Sequence, residues 1–278
     1  MSKTYNAVAI PAEGKPIQAI DLPIPGVHKD EVQVKVEYAG VNHVDKSQAE
    51  TGAYVSKWPF TVGVEFAGTV TAIGEGVTDV EVGQKVAGVS YAIGSYAQFV
   101  TVKRTMLTPI PSSSTLSLSQ LSKVPHTFLT AFWTLFGPQY TNLSLTPSKE
   151  ESETPLLIWA ASTSVGVYAL QILKRTGYVN VLAVASKAHF QRLKALGAKA
   201  VFDRGDSDVA KQIKKELGGT PLKKALVYMG DKQGGKDLFQ VLDSKEAHVV
   251  PIIRATPSSI PKHVKWTRAV VFDLVNVR

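Results

Sequence analysis

The segment Ala161-Ser162-Thr163-Ser164-Val165-Gly166 stands between the apolar run Leu156-Leu-Ile-Trp-Ala160 and an amphipathic stretch. A strand-to-helix turn made of small residues lets backbone N–H groups and a helix N-terminus meet an anionic phosphate. The turn is not a full glycine fingerprint, because Ala161 and Ser164 occupy places where glycines often stand, so its context carries more weight than Gly166 alone. The hydroxyls of Ser162, Thr163 and Ser164 either bond a pyrophosphate or cap the helix. In sites that prefer NAD, an acid about 20 residues past such a turn holds the ribose 2′-hydroxyl. Here that place reads Ala183-Val-Ala-Ser186-Lys187 and holds no acid. A hydroxyl and an ammonium suit a 2′-phosphate instead. Ala188 and His189 follow in the same turn, and Arg204, after the next apolar run, is a second cation. The alternative for Lys187 and Arg204 is the ordinary one of solvated surface charges.

Other chemistry is closed by composition. The chain of 278 residues has no cysteine, which removes disulfides, thiolate zinc sites, iron–sulfur centres and cysteine nucleophiles together. The formal net charge of +8 favours anionic partners without choosing among a cofactor phosphate, nucleic acid or an acidic surface. No basic run is interleaved with aromatics, so nucleic acid is not expected as a partner. The start MSKTYNAVAIPAEG lacks the apolar centre of a signal peptide. No stretch approaches the ~18 apolar residues of a membrane span. The expectation is a soluble, cytoplasmic protein with no membrane partner.

The elements that must hold these residues follow from periodicity. Val32, Val34, Val36 and Tyr38 alternate within Glu31–Ala39, which predicts a half-buried strand with one inward face. Short β-branched runs at 68–74 and 96–102 and glycines at 63, 68, 74, 76, 83, 88 and 94 predict a curved sheet or partial barrel. Between Leu118 and Phe136 apolar residues return every three to four positions, which predicts a helical stretch interrupted near Pro125 and stopped by Gly137-Pro138. The polar segment 139–154 reads as a linker. After Pro155, apolar strands alternate with amphipathic helix-length segments, the pattern of a doubly wound parallel sheet covered on both faces. The expected class is therefore α/β: a β-rich first domain with a connecting helix at 1–138, and the parallel sheet at 155–278.

Gly40-Val-Asn42-His-Val-Asp45, Thr51-Gly-Ala-Tyr54, Gly63-Val-Glu65-Phe-Ala-Gly68-Thr-Val, the turn 161–166 and Leu193-Lys-Ala-Leu-Gly197-Ala occur in one order from about residue 5 to 253. Together they resemble the medium-chain dehydrogenase/reductases. Within these, the chain is similar to the zinc-free quinone oxidoreductases and the fungal trans-acting enoyl reductases. The resemblance implies a GroES-like first domain, a Rossmann second domain, and hydride transfer from NADPH to an enone, an enoyl thioester or a quinone. It places Asn42, Tyr54 and Thr130 at the reacting centre, Tyr54 near the substrate, and Asp45 and Lys46 beside the cofactor. Each also has a structural reading: Asn42 and Asp45 in a turn, Thr130 on a helix face, Tyr54 as a rim aromatic. Zinc-using members carry a cysteine near Asn42 and a histidine next to Glu65. This chain has Asn42 and Val64 there, so no metal is expected. His43 reads as a turn or core residue. Arg204 replaces a family tyrosine, which changes how the adenine side is held. Relatives continue for several tens of residues beyond the point matching Arg278, after a segment like 266–277 that leads to a dimer-forming strand. A homodimer or a partner synthase is the protein partner this admits. The alternative function is a shortened pseudo-reductase that holds NADPH as a partner subunit.

Overall fold

The computed structural model describes residues 4–229, 232–242, 246–252, 261–262 and 264–269. The chain divides into two compact units, Met1–His126 and Thr127–Arg278.

The first unit contains β1 (Thr4–Ile10), β2 (Gln18–Pro23), β3 (Glu31–Ala39), α1 (His43–Thr51), β4 (Phe60–Thr61), β5 (Glu65–Ile73), β6 (Lys85–Val89), β7 (Phe99–Lys103), β8 (Leu107–Pro109) and the short helix α2 (Leu118–Leu121). Among the described residues these strands form two antiparallel sheets, ordered β2-β1-β4 and β7-β3-β5-β6-β8. The larger one is the GroES-like half-barrel. Val32 and Val34 are fully buried with Phe66, Val70, Val86 and Val100, as alternation requires. The expected inward face does not reach Tyr38, which is 49% exposed. A register shift between Val36 and Tyr38 bends β3 there and re-aims the side chain. Gly68 lies where β5 presses against β3, and a Cβ would run into the Lys35 carbonyl. That close approach is what a curved sheet asks of glycine.

The division between units falls at the start of α3 (Pro125–Phe136) rather than after it. The reason is burial: Ala131 and Leu135 are fully enclosed in the core of the second unit, with Tyr140 and Leu143. Segment 139–154 is thus packed chain carrying a short helix, α4 (Lys149–Glu153). Pro125 opens α3, because a helix's first turn does not need the missing N–H.

The second unit continues with β9 (Leu156–Trp159), α5 (Ser164–Thr176), β10 (Val181–Ala185), α6 (Phe190–Ala195), β11 (Ala200–Asp203), α7 (Val209–Leu217), β12 (Lys224–Val227), α8 (Lys232–Val241), β13 (His248–Pro251) and β14 (Lys265–Trp266). Among the described residues the sheet order is β11-β10-β9-β12-β13-β14, all parallel. Each strand sends alternate residues to opposite faces. Leu156, Ile158, Val181 and Leu226 pack under α3 and α5 against Leu135, Leu170 and Leu173. Leu157, Trp159, Leu182 and Val227 pack under α7 and α8 against Ile213, Leu238 and Val241. Helices on both faces make this the doubly wound, Rossmann-like sheet expected. The order reverses between β9 and β12, so the turn leaving β9 is at the switch point, where such sheets bind ligands. No helix among the described residues is long and apolar enough to cross a membrane.

Candidate functional site

In the second unit the turn after β9 is tied down at every step. The Ala161 N–H donates to the Val184 carbonyl at 3.0 Å, joining the turn to β10. Thr163 precedes the first helical residue; its hydroxyl donates to the Ala160 carbonyl at 2.9 Å and accepts the Gly166 N–H at 3.2 Å. The Thr163 side chain thereby caps the helix. The first helix-type bond runs from the Val167 N–H to the Thr163 carbonyl at 2.9 Å. The amides of Ser164 and Val165 precede it, in the first turn where a helix has no internal acceptor to offer. Ser164 is exposed, and Ser162 and Val165 are half-buried. A Cβ on Gly166 would lie 2.5 Å from the Ala161 carbonyl oxygen, so α5 sits directly on the turn. First-turn amides at the positive end of a helix dipole, held on a closely packed turn, fit a pyrophosphate. Just before the turn, Ala160 is in left-handed conformation at φ 61°, and Ala161 is a fully buried core residue.

Ser186 ends β10 half-buried, and Lys187, Ala188 and His189 form a single helical turn, with the His189 N–H donating to the Ser186 carbonyl at 3.0 Å. Lys187 and Arg204 are both exposed, and the Lys187 ammonium lies 3.5 Å from the Asp203 carboxylate. Ser186, Lys187 and Arg204 thus follow the carboxyl ends of the neighbouring strands β10 and β11. Asp203 was missed. It lies outside the sequence window in which an acid was sought, although its strand is the next one over.

The first unit holds a buried polar network around α1. Asn42 precedes the helix; its side-chain amide donates to Glu65 Oε1 at 2.8 Å, and its side chain forms a capping box with Asp45 at the start of α1. Its backbone N–H donates to Asp45 Oδ2 at 2.6 Å. The same carboxylate oxygen accepts the Tyr96 hydroxyl at 2.7 Å. Glu65 Oε2 accepts the His126 N–H at 2.9 Å, and the His126 ring meets the Tyr91 hydroxyl at 3.2 Å. Asp45 is 5% exposed and Glu65 1%. Burial pushes both carboxyls above the usual range, against the lowering effect of these hydrogen bonds. Burial also holds the His126 imidazole down to about 4. Asp45 Oδ1 and both polar atoms of the fully buried Gln48 have no partner among the described residues.

Asn42 and Asp45 are therefore brought together, with Glu65 as a hub. A carboxylate inside the apolar run around Val64 and Phe66 was the available signal for that hub, since such a group is almost never buried without partners. Lys46 faces outward, 3.7 Å from Glu50. Tyr54 is 46% exposed on the turn after α1, in left-handed conformation at φ 64°. His43 is exposed as the first residue of α1. Thr130 is buried within α3 in the second unit. Among the described residues no three His, Cys, Asp or Glu side chains are grouped to hold a metal.

Residues 28–112 match the family described as the alcohol dehydrogenase GroES-like domain. The chain is 32% identical to the dehydrogenase azaJ of Aspergillus niger over 280 residues, covering 94% of this chain and 80% of that protein. It is 31% identical to the trans-enoyl reductase fsr4 of Gibberella fujikuroi over 267 residues, covering 92% and 78%. The fold superposes on the quinone oxidoreductase of Pseudomonas syringae pv. tomato with a TM-score of 0.77 at 23% identity, covering 98% of this chain and 83% of that one.

Proposed function

The chain belongs to the medium-chain dehydrogenase/reductase superfamily, and on that footing we propose that it is an NADPH-dependent, zinc-independent reductase of enones, enoyl thioesters or quinones. The observation that carries this reading is the turn after β9, where Gly166 seats α5 on Ala161 and Ser164 and Val165 lie in the first turn of the helix, whose amides have no acceptor within the helix. A nicotinamide cofactor, when bound, supplies the hydride; the protein supplies binding, orientation and electrostatics. The Ser164 and Val165 amides hold the pyrophosphate, with Ser162 and Thr163 shaping the turn. Ser186, Lys187 and Arg204 hold the 2′-phosphate, beside Ala188 and His189. In the first unit, Asn42 and Asp45 are fixed by Glu65 and Tyr96 and orient the reacting end, with Lys46 beside the cofactor. Tyr54, half exposed on the turn after α1, stands near the substrate in this scheme. Zinc is absent from this scheme because the chain has no thiolate and has Val64 beside Glu65. The relatives' names, dehydrogenase and trans-enoyl reductase, favour an active enzyme over a cofactor-holding partner subunit.

Titration of NADPH and NADH by fluorescence, followed by cofactor oxidation with a panel of enones, enoyl thioesters and quinones, tests the reading. Binding with NADPH the tighter ligand, and oxidation with at least one class, is the expected result. Binding of neither dinucleotide overturns it.

A further inference from the structure

Lys187 and Asp203 follow from neighbouring parallel strands. Asp203 is in register with Ala185, and the Arg204 N–H donates to the Ala185 carbonyl at 3.0 Å, so the end of β11 stands beside the residues that follow β10. The Asp203 side chain is only 20% exposed and is fixed: its Oδ1 accepts the Gly205 N–H at 3.1 Å while Oδ2 faces the Lys187 ammonium at 3.5 Å. Lys187, 77% exposed on a long flexible stem, is the member that can move. The acid that the sequence lacks after the second strand of this sheet is thus supplied in space by the third.

We propose that Lys187 and Asp203 form a two-way ribose selector, which makes the chain a dual-cofactor enzyme with only a modest preference for NADPH. The proposal rests on the reading that the turn after β9 holds a dinucleotide. In one state Lys187 leaves Asp203 and pairs with a 2′-phosphate. In the other it stays, and Asp203 accepts a hydrogen bond from a ribose 2′-hydroxyl, as acids at this edge do. Exposed ion pairs are weak, so opening this one costs little. Asp203 cannot retreat with it, however, and its fixed negative charge opposes the incoming phosphate. The exposed Arg204 works the other way. The balance of these charges is what keeps the preference small.

The experiment is a fluorescence titration of the full chain, D203N and K187Q with NADPH and NADH. Asn at 203 keeps the carbonyl that accepts the Gly205 N–H, so the local turn is retained. The parent is expected to bind the two cofactors with dissociation constants within about tenfold of each other. D203N should move the ratio toward NADPH by at least fivefold, about 1 kcal/mol, and K187Q should move it toward NADH by at least as much. A smaller shift in D203N, or a parent preference beyond tenfold, overturns the selector. Failure of the parent to bind either dinucleotide strikes instead at the reading of the turn, and the selector falls with it.

Discussion

Replacing Gly166 by alanine should damage the second unit and its cofactor site together. The new Cβ would lie 2.5 Å from the carbonyl oxygen of Ala161 and 2.7 Å from its carbonyl carbon and Cα. All three atoms are backbone, so no side chain can rotate aside. Non-bonded carbons settle at roughly 3.5–4.0 Å, so α5 must lift from the turn by on the order of 1 Å. Overpacking of this kind costs about 1–3 kcal/mol. The lifted helix no longer aims the Ser164 and Val165 amides at one phosphate, and losing a single charge-assisted hydrogen bond costs roughly 1.5–3 kcal/mol, on the order of ten- to a hundredfold in affinity. Urea unfolding followed by tryptophan fluorescence reads the first effect, and NADPH titration the second. Gly26→Ala is the control, because nothing lies within 4 Å of the Cβ it would gain; it should change neither. Valine at 166 should abolish binding while leaving the first unit folded. If Gly166→Ala keeps both its urea midpoint and an affinity within twofold of the parent, the seating of α5 on Ala161 is not what makes the site.

The same turn allows a gain. Ala160→Gly should raise stability by about 1 kcal/mol by relieving a left-handed alanine at φ 61°, and an unchanged or lower urea midpoint would count against that strain. In the first unit, Asn42→Ala should cost roughly 1–3 kcal/mol, since Glu65 Oε1 loses its amide donor in a buried place; a variant as stable as the parent would remove Glu65 from its role as hub. Stability should also fall with acidification between pH 6.5 and about 4. The folded His126 is held down to about 4, so its contribution is complete above the unfolded value and is lost as the pH falls toward the folded one, by up to about 3 kcal/mol. Asp45 and Glu65 are shifted upward and act in the opposite sense, gaining stability as the pH falls, so they offset part of the loss. His126→Gln should flatten the pH dependence of the melting temperature, and an unaltered slope would assign it to other groups. Finally, elemental analysis after dialysis should find no stoichiometric zinc; about one zinc per chain would overturn the metal-independent scheme.

Much of the second unit is legible because its rules are local. A strand buried on both faces reads as an unbroken apolar run, and the helices between such runs read by their period, so the alternation expected after Pro155 is found from β9 to α7. The first unit is harder, since a curved sheet is set by register. The shift between Val36 and Tyr38 arises from pairing with β5, which no periodicity within β3 contains. The division between units is hidden for a similar reason: α3 has apolar residues enough for either side, and only burial of Ala131 and Leu135 assigns it. In the candidate site, Ser186 and Lys187 were visible from the absence of an acid at one spacing. Asp203 was not, because its proximity comes from strands lying side by side. The Ala160 conformation was also hidden, since the fingerprint fixes the order of small residues but not which one takes positive φ.

Asn42 closes a capping box with Asp45 at the start of α1 and also donates its side-chain amide to Glu65, on a strand 23 residues further on. The first turn of α1 is therefore tied to β5 as well as to itself. When β5 opens that tie is lost, and Asp45 and Gln48 are drawn into the same buried face. Amide protons of α1 should accordingly exchange with solvent at the pace of the β5 ladder, as one cooperative unit, instead of at the faster pace of a nine-residue surface helix. A peptide spanning Gly40–Gly52 should have almost no helix in water, its order being a property of the sheet beside it.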